Sequence, residues 1–220
     1  MKLAIFSDYD GTITTQDTID LVLDTFGAPN WLEISKALDR AGAKNIERMT
    51  AEFVGFHASV AEVKALVSER IGIDETFRGL VDLARGRGWK LVVLSHGISQ
   101  SLETMFEKYG ISGVEWHANA LREDNGSVRI TFPEQYAIED GECSTLCGVC
   151  KGGHLRRAKR EGYTTVYIGD GITDRCGAGR ADIVFAKRYL KKYLTQQGKP
   201  FVEFQSFADV TAELERRFAK

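Results

Sequence analysis

The sequence predicts an α/β fold, a three-layer sandwich in which helices cover both faces of a Rossmann-like parallel sheet. Three observations predict it. Short apolar runs without polar alternation recur along the chain and stop at Asp, Ser or Gly. Amphipathic helical stripes lie between them. One long helical stretch breaks the alternation after the first run. Strands without alternation are buried on both faces, as a parallel sheet requires.

The first run is Lys2 to Ser7, ending at Asp8-Tyr9-Asp10-Gly11. Residues 15 to 73 follow. Ile19, Val22, Leu23 and Phe26 form one helical stripe there and Val63, Leu66, Val67 and Ile71 another, with no strand between. This stretch is expected to be a helical cap inserted into a core made of residues 1–14 and 74–220. Phe77, Leu80, Val81 and Ala84 begin the next helix, and Trp89 to Leu94 the second strand, which leads into Ser95-His96-Gly97. Ile98, Leu102, Met105, Phe106 and Tyr109 repeat the helical period. A β-hairpin is expected near 114–132, turning at Asp124-Asn125-Gly126, and a loop from Pro133 ends in Cys143, Cys147 and Cys150. Thr164 to Ile168 and Ile183 to Phe185 read as further strands. Phe207, Val210, Leu214 and Phe218 close the chain on a helix, with Ser206 and Asp209 spaced as a capping box.

Composition narrows the function. Lys plus Arg total 29 and Asp plus Glu 31, a net charge of −2, so nothing favours a nucleic acid or an anionic membrane surface as partner. No apolar run approaches the roughly 18 residues that a membrane helix needs. The apolar N-terminus is too short for a signal-peptide core, and a cytoplasmic location is the expectation. In that setting Asn125-Gly126-Ser127 is a hairpin turn rather than a glycosylation acceptor.

Ligands of parallel α/β sheets bind at the carboxyl ends of strands. The residues expected there are Asp8, Asp10, Ser95, Asp170 and Asp174. Four carboxylates on one rim repel one another unless a cation sits among them, and Mg2+ suits oxygen donors and phosphate substrates. Lys151, opening a helix after the cysteine loop, supplies a point charge for a phosphate. Residues two apart in an extended segment point the same way, so Asp8 and Asp10 face one reacting group.

This order resembles the haloacid dehalogenase superfamily over nearly the whole chain. Asp8-Tyr9-Asp10-Gly11-Thr12 is similar to its first motif, Ser95 to its second, Lys151 to its third, and Gly169-Asp170 through Asp174 to its fourth. A helical cap after the first strand resembles the phosphoserine-phosphatase-like branch. The resemblance implies Asp8 as nucleophile forming an aspartyl-phosphate and Asp10 as general acid and base. It implies Mg2+ held by Asp8, the Asp10 carbonyl and Asp170, with Asp174 orienting metal waters or Lys151. Ser95 and Lys151 would hold phosphate oxygens. The second acid, Asp10, points to a phosphatase rather than a dehalogenase.

The substrate is expected to be a small phosphorylated metabolite. Cys143 through Cys150 before Lys151 resembles the cysteine run of methionine-salvage phosphatases, which act on 2-hydroxy-3-keto-5-methylthiopentenyl-1-phosphate. Phosphoethanolamine/phosphocholine phosphatases have a similar Cys-Lys junction and a later cysteine, here Cys176. Asp17 falls where phosphoserine phosphatases grip the substrate amine, although it is also placed to cap the Ile19 helix. Arg48, His96 and Gly97 are the other candidate substrate contacts. The cysteines have three readings: packed hydrophobes, redox-sensitive thiols, or zinc ligands together with Cys176. Arg156, Arg157, Lys159 and Arg160 read as a solvated helix face. A phosphotransferase or mutase, or a non-catalytic module of the same fold, is the rival function. The sequence leaves the oligomeric state open, a homodimer included.

Overall fold

A computed structural model describes residues 2–124, 126–133 and 146–219. Seven strands form one sheet in the order β4-β3-β2-β1-β5-β6-β7. They are β1 (Leu3–Ser7), β2 (Lys90–Ile98), β3 (Glu115–Asp124), β4 (Ser127–Thr131), β5 (Thr164–Gly169), β6 (Ile183–Ala186) and β7 (Val202–Glu203). All neighbours pair in parallel except β3 and β4. The chain leaves β1 for β2 on one side and returns to β5 on the other. The carboxyl end of β1 is therefore the topological switch point, where a crevice opens between diverging loops.

Burial follows from the two-residue period of a strand. Leu3 and Ile5 of β1 enter one core, and Ala4 and Phe6 the other. The first core is covered by α5 (Phe77–Arg87), α6 (Ser99–Lys108) and α10 (Phe207–Arg217). The second lies under α7 (Lys151–Arg160), the one-turn α8 (Arg175–Ala178) and α9 (Arg188–Gln196). At the start of α10 the Asp209 carboxylate accepts from Ser206 N at 3.0 Å and Gln205 N at 2.8 Å.

Between β1 and α5 lie α1 (Thr18–Phe26), α2 (Trp31–Arg40), α3 (Asn45–Glu52) and α4 (Val60–Arg70). An isolated bridge between Thr14 and Ile73 draws together the two chain segments at the root of this unit. Val22, Leu23, Met49, Val63 and Val67 continue the first core, so the helices are packed onto the sheet layer rather than hung from it.

Three details add to or differ from the sequence expectations. The second strand runs on through Ile98 instead of ending at Leu94, with a register shift against β3 between Leu94 and Ile98. Beyond the last β2–β3 pair, Ile98 with Asn119, the Gln100 amide donates to Leu121 O at 2.9 Å and accepts from Leu121 N at 3.0 Å, replacing backbone partners. The expected hairpin forms from β3 and β4, and β3 also pairs in parallel with β2. The two-residue β7 is too short for any periodic signal. Asn125 and Cys143 lie outside the described residues.

Candidate active site

The β1 strand delivers Asp8 to the switch point, where Asp8 N donates to Ile168 O of β5 at 2.9 Å. The next three residues then separate by side. Tyr9 is fully buried, and its hydroxyl meets Ser101 Oγ at 3.1 Å inside the core. Asp8 and Asp10 both line one cavity of about 350 Å³ between sheet and cap. Gly11 turns the chain at φ +75°, and a Cβ there would lie 2.7 Å from Asp170 Oδ2, so only glycine lets this loop approach Asp170.

Lys151 opens α7 and reaches across the sheet. Its Nζ donates to Asp8 Oδ1 at 2.5 Å and to Asp174 Oδ1 at 2.7 Å. Asp174 is saturated: Tyr167 Oη donates to Oδ1 at 2.6 Å, and Asp170 N and Gly171 N donate to Oδ2 at 2.9 and 2.7 Å. Asp170 accepts from Thr12 Oγ1 at 3.0 Å and pairs with Arg188 at 3.3 Å.

Three buried carboxylates, Asp8, Asp170 and Asp174, bring ligand oxygens within 4.8 Å of one another around one buried ammonium. The charges do not balance. Burial, then the Asp174 charge, pushes Asp8 well above the usual carboxylate range, and the same two causes raise Asp170. Burial opposes the charged forms of Lys151 and Asp174 too, but their mutual attraction, with Asp8 helping Lys151, outweighs it; Lys151 is raised and Asp174 lowered. A pair this closely matched leaves Asp8 and Asp170 short of positive charge. A hard divalent cation with oxygen ligands fits that deficit. Asp8 and Asp170 have acceptor capacity left for it, whereas Asp174 is occupied in holding Lys151 and the Asp170 backbone.

Asp10 forms a second centre. Ser95 Oγ donates to its Oδ2 at 2.9 Å, and Thr18 donates to Oδ1 from both hydroxyl and backbone, the latter at 3.1 Å. Burial, and next the Asp17 charge, pushes the Asp10 carboxyl up to about 7. Gly97 N donates to Ser95 Oγ at 2.7 Å, and a Cβ on Gly97 would sit 2.5 Å from Asp10 Oδ2.

Asp17, Arg48, His96 and Gly97 all line the cavity that holds Asp8 and Asp10, so the candidate site residues of the sequence share one region. Lys151 lines an adjoining cavity of about 580 Å³, shared with Arg48 and His96. Asp17 also caps α1, accepting from Ile19 N at 2.9 Å and Asp20 N at 3.0 Å. His96 is held by Val149 O at 2.8 Å and faces Asn45 at 3.3 Å; burial first, then Lys151, lowers it to about 3, so it stays neutral. Among the described residues, the cysteines form no ligand set of three or more acids, imidazoles or thiols. Cys150 Sγ instead accepts from Gly153 N at 3.3 Å at the head of α7.

Sequence reasoning missed Thr18, Tyr167, Arg188 and Glu52, the last a buried cavity-lining acid of α3 that pairs with Arg48. Tyr167 reads as an ordinary strand residue and Thr18 as an ordinary helix start. Arg188 alone carries a backbone signal, φ +47° outside glycine, which no sequence pattern announces.

Fold and site together define an α/β protein with a lysine-bridged aspartate centre at the switch point of a parallel sheet, roofed by inserted helices. A model of the family described as haloacid dehalogenase-like hydrolase matches residues 5–178. A 2-hydroxy-3-keto-5-methylthiopentenyl-1-phosphate phosphatase of Geobacillus kaustophilus is 31% identical over 217 residues, covering 98% of this chain and 96% of the relative. The protein of that name from Geobacillus thermodenitrificans is 30% identical over 227 residues, with the same two coverages, 98% and 96%. A solved phospho-aspartyl intermediate analogue of phosphoserine phosphatase superposes with TM-score 0.67 at 20% identity, covering 96% of this chain and 98% of that one, a likeness of fold. The chain belongs to the haloacid dehalogenase-like hydrolase family. Among the described residues, no helix is long and apolar enough to cross a membrane.

Proposed function

We propose that the protein is a Mg2+-dependent phosphatase of a small phosphorylated metabolite, working through an aspartyl-phosphate on Asp8. The observation that carries this reading is the division of labour between two aspartates in one cavity. Asp8 accepts from Lys151 at 2.5 Å, and that charge works against the burial and the Asp174 charge that raise the carboxyl, so a bound cation would leave it ionised for attack. Asp10, at about 7, holds a proton near neutral pH and can give it to the leaving oxygen. Deprotonated by that transfer, Asp10 can activate the water that splits the acyl phosphate, so one hard displacement becomes two easier ones. Ser95 fixes the Asp10 carboxyl, and Lys151 offers N–H donors to phosphate oxygens. When bound by Asp8, the Asp10 carbonyl and Asp170, the metal would neutralise phosphate charge.

The relatives' name describes a phosphate ester bearing hydroxy, keto and methylthio groups, and we propose this methionine-salvage ester as first candidate substrate. The cavity wall supports it with Ile19, Trp31, Leu32 and Met49. Phosphoserine and phosphoethanolamine or phosphocholine are the alternatives. A cytoplasmic setting goes with this reading. The test is phosphate release from p-nitrophenyl phosphate with and without Mg2+, in the native protein and Asp8→Asn. We expect Mg2+-dependent release in the first and a loss of at least about 10³-fold in the second. Undiminished release by Asp8→Asn would end the reading.

A further inference from the structure

The cap places one cationic side chain, Arg48, on the walls of the two joined cavities, among the described residues. A cation at that height above Asp8 would ordinarily serve an anionic group on the substrate body. Its guanidinium is already engaged on every nitrogen. Nη1 pairs with the Glu52 carboxylate and donates to Ser35 Oγ at 3.2 Å. Nη2 donates to Asn45 Oδ1 at 2.8 Å, and Nε lies 3.3 Å from Asp39 Oδ1. Glu52 is 2% exposed. Turning Arg48 toward a ligand would leave that buried carboxylate without a counter-charge, a strongly unfavourable state.

The rest of the wall reinforces the point. Asp17, Asp20 and Glu52 line the cavity from the cap. Partial burial, then Asp17, Asp24 and Glu52, pushes Asp20 up to about 6, the mark of a local excess of negative charge. A carboxylate on a substrate would enter this field facing a cap arginine that is already engaged; the core-side arginines of the two cavities are Arg188, paired with Asp170 at 3.3 Å, and Arg175, whose Nε donates to Ile172 O at 3.0 Å.

We propose that the Arg48–Glu52 pair makes the cap select against phosphate esters that carry a carboxylate, so that the substrate class is phosphate monoesters whose organic part is uncharged or cationic. The inference rests on the phosphatase reading above and sharpens it: it separates phosphoserine from the other candidate substrates.

O-phosphoserine and O-phosphoethanolamine differ by the carboxylate alone, so the ratio of their kcat/KM values on the Mg2+-loaded full chain reads the effect directly. We expect at least tenfold preference for phosphoethanolamine. Glu52→Gln should free Arg48 and move that ratio toward phosphoserine by at least tenfold. Should Glu52→Gln fail to fold, Asp39→Asn, at a site 67% exposed, releases another partner and should move the ratio the same way by a smaller factor. Equal or better use of phosphoserine by the native protein overturns the proposal, as does a ratio that stays put in both variants. p-Nitrophenyl phosphate separates the two levels: if it is not hydrolysed, the phosphatase reading falls. The selectivity is then read from melting-temperature shifts of Asp8→Asn with each of the two esters, where equal shifts overturn it.

Discussion

Asp174 Oδ1 accepts from Lys151 Nζ at 2.7 Å with both side chains sealed from solvent, 0% and 1% exposed. Such a pair contributes little net stability compared with an apolar filling, but removing one partner strands the other. Asp174→Asn would also turn an amide N–H toward two donors, either Lys151 Nζ and Tyr167 Oη or the backbone N–H groups of Asp170 and Gly171. We expect destabilisation of about 3–5 kcal/mol by urea unfolding and at least about 100-fold lower turnover. A variant as stable and active as the native chain would show that Lys151 is positioned by something else.

Gly11→Ala tests the approach of the first loop to Asp170. The left-handed backbone at φ +75° costs a non-glycine residue about 1–2 kcal/mol, and the new methyl would press on Asp170 Oδ2. The Mg2+ concentration for half-maximal activity should rise about tenfold or more. An unchanged Mg2+ midpoint, by activity and by melting temperature, would count against Asp170 as a ligand.

Metal removal should be visible without substrate. Asp8 and Asp170 are both held above the usual carboxylate range in the absence of a cation. A ligand that binds only the native state stabilises it by about 2.7 kcal/mol at one hundred times its Kd. Mg2+ should therefore raise the melting temperature of the native protein and EDTA should reverse it. Asp170→Asn should be at least as stable without metal, having fewer like charges, and should not respond to Mg2+. A full response in that variant would place the ion elsewhere.

His96 makes stability depend on pH. Its pKa falls from 6.5 to about 3 on burial beside Lys151. Above pH 6.5 neither state binds a proton there. Below it the unfolded chain takes one up and the native state does not, so stability is lost as pH falls from 6.5 toward 3. The slope from this one group is at most about 1.4 kcal/mol per pH unit. Urea unfolding at pH 7.5, 6 and 5 should show a shallower decline in His96→Gln; parallel declines would refute it.

Much of the acid-lined rim is readable in the sequence. Asp8, Asp10, Ser95, Lys151, Asp170 and Asp174 sit at ends of buried runs or heads of helices, and strand ends of a parallel sheet converge by topology. The cap residues were less readable. Arg48 reads as an exposed helical arginine or a substrate contact, and its engagement by Glu52, Ser35, Asn45 and Asp39 depends on how α2 and α3 pack. Tyr167 looked like core alone, although its ring is core and its hydroxyl ends on Asp174.

The linear order of residues by itself determined the α/β class, the helical insertion after the first strand and the set of acids facing one edge, because period, strand-end position and motif spacing are local properties. Tertiary structure alone decided which acids burial pushes up and which one is spent on holding Lys151. It also decided whether the cap arginine is free. Those outcomes depend on burial, on distant partners such as Ser95 with Asp10 at a separation of 85 and Lys151 with Asp8 at 143, and on how the cap helices pack around Arg48, and no local pattern encodes the electrostatics of groups that meet only in the folded chain.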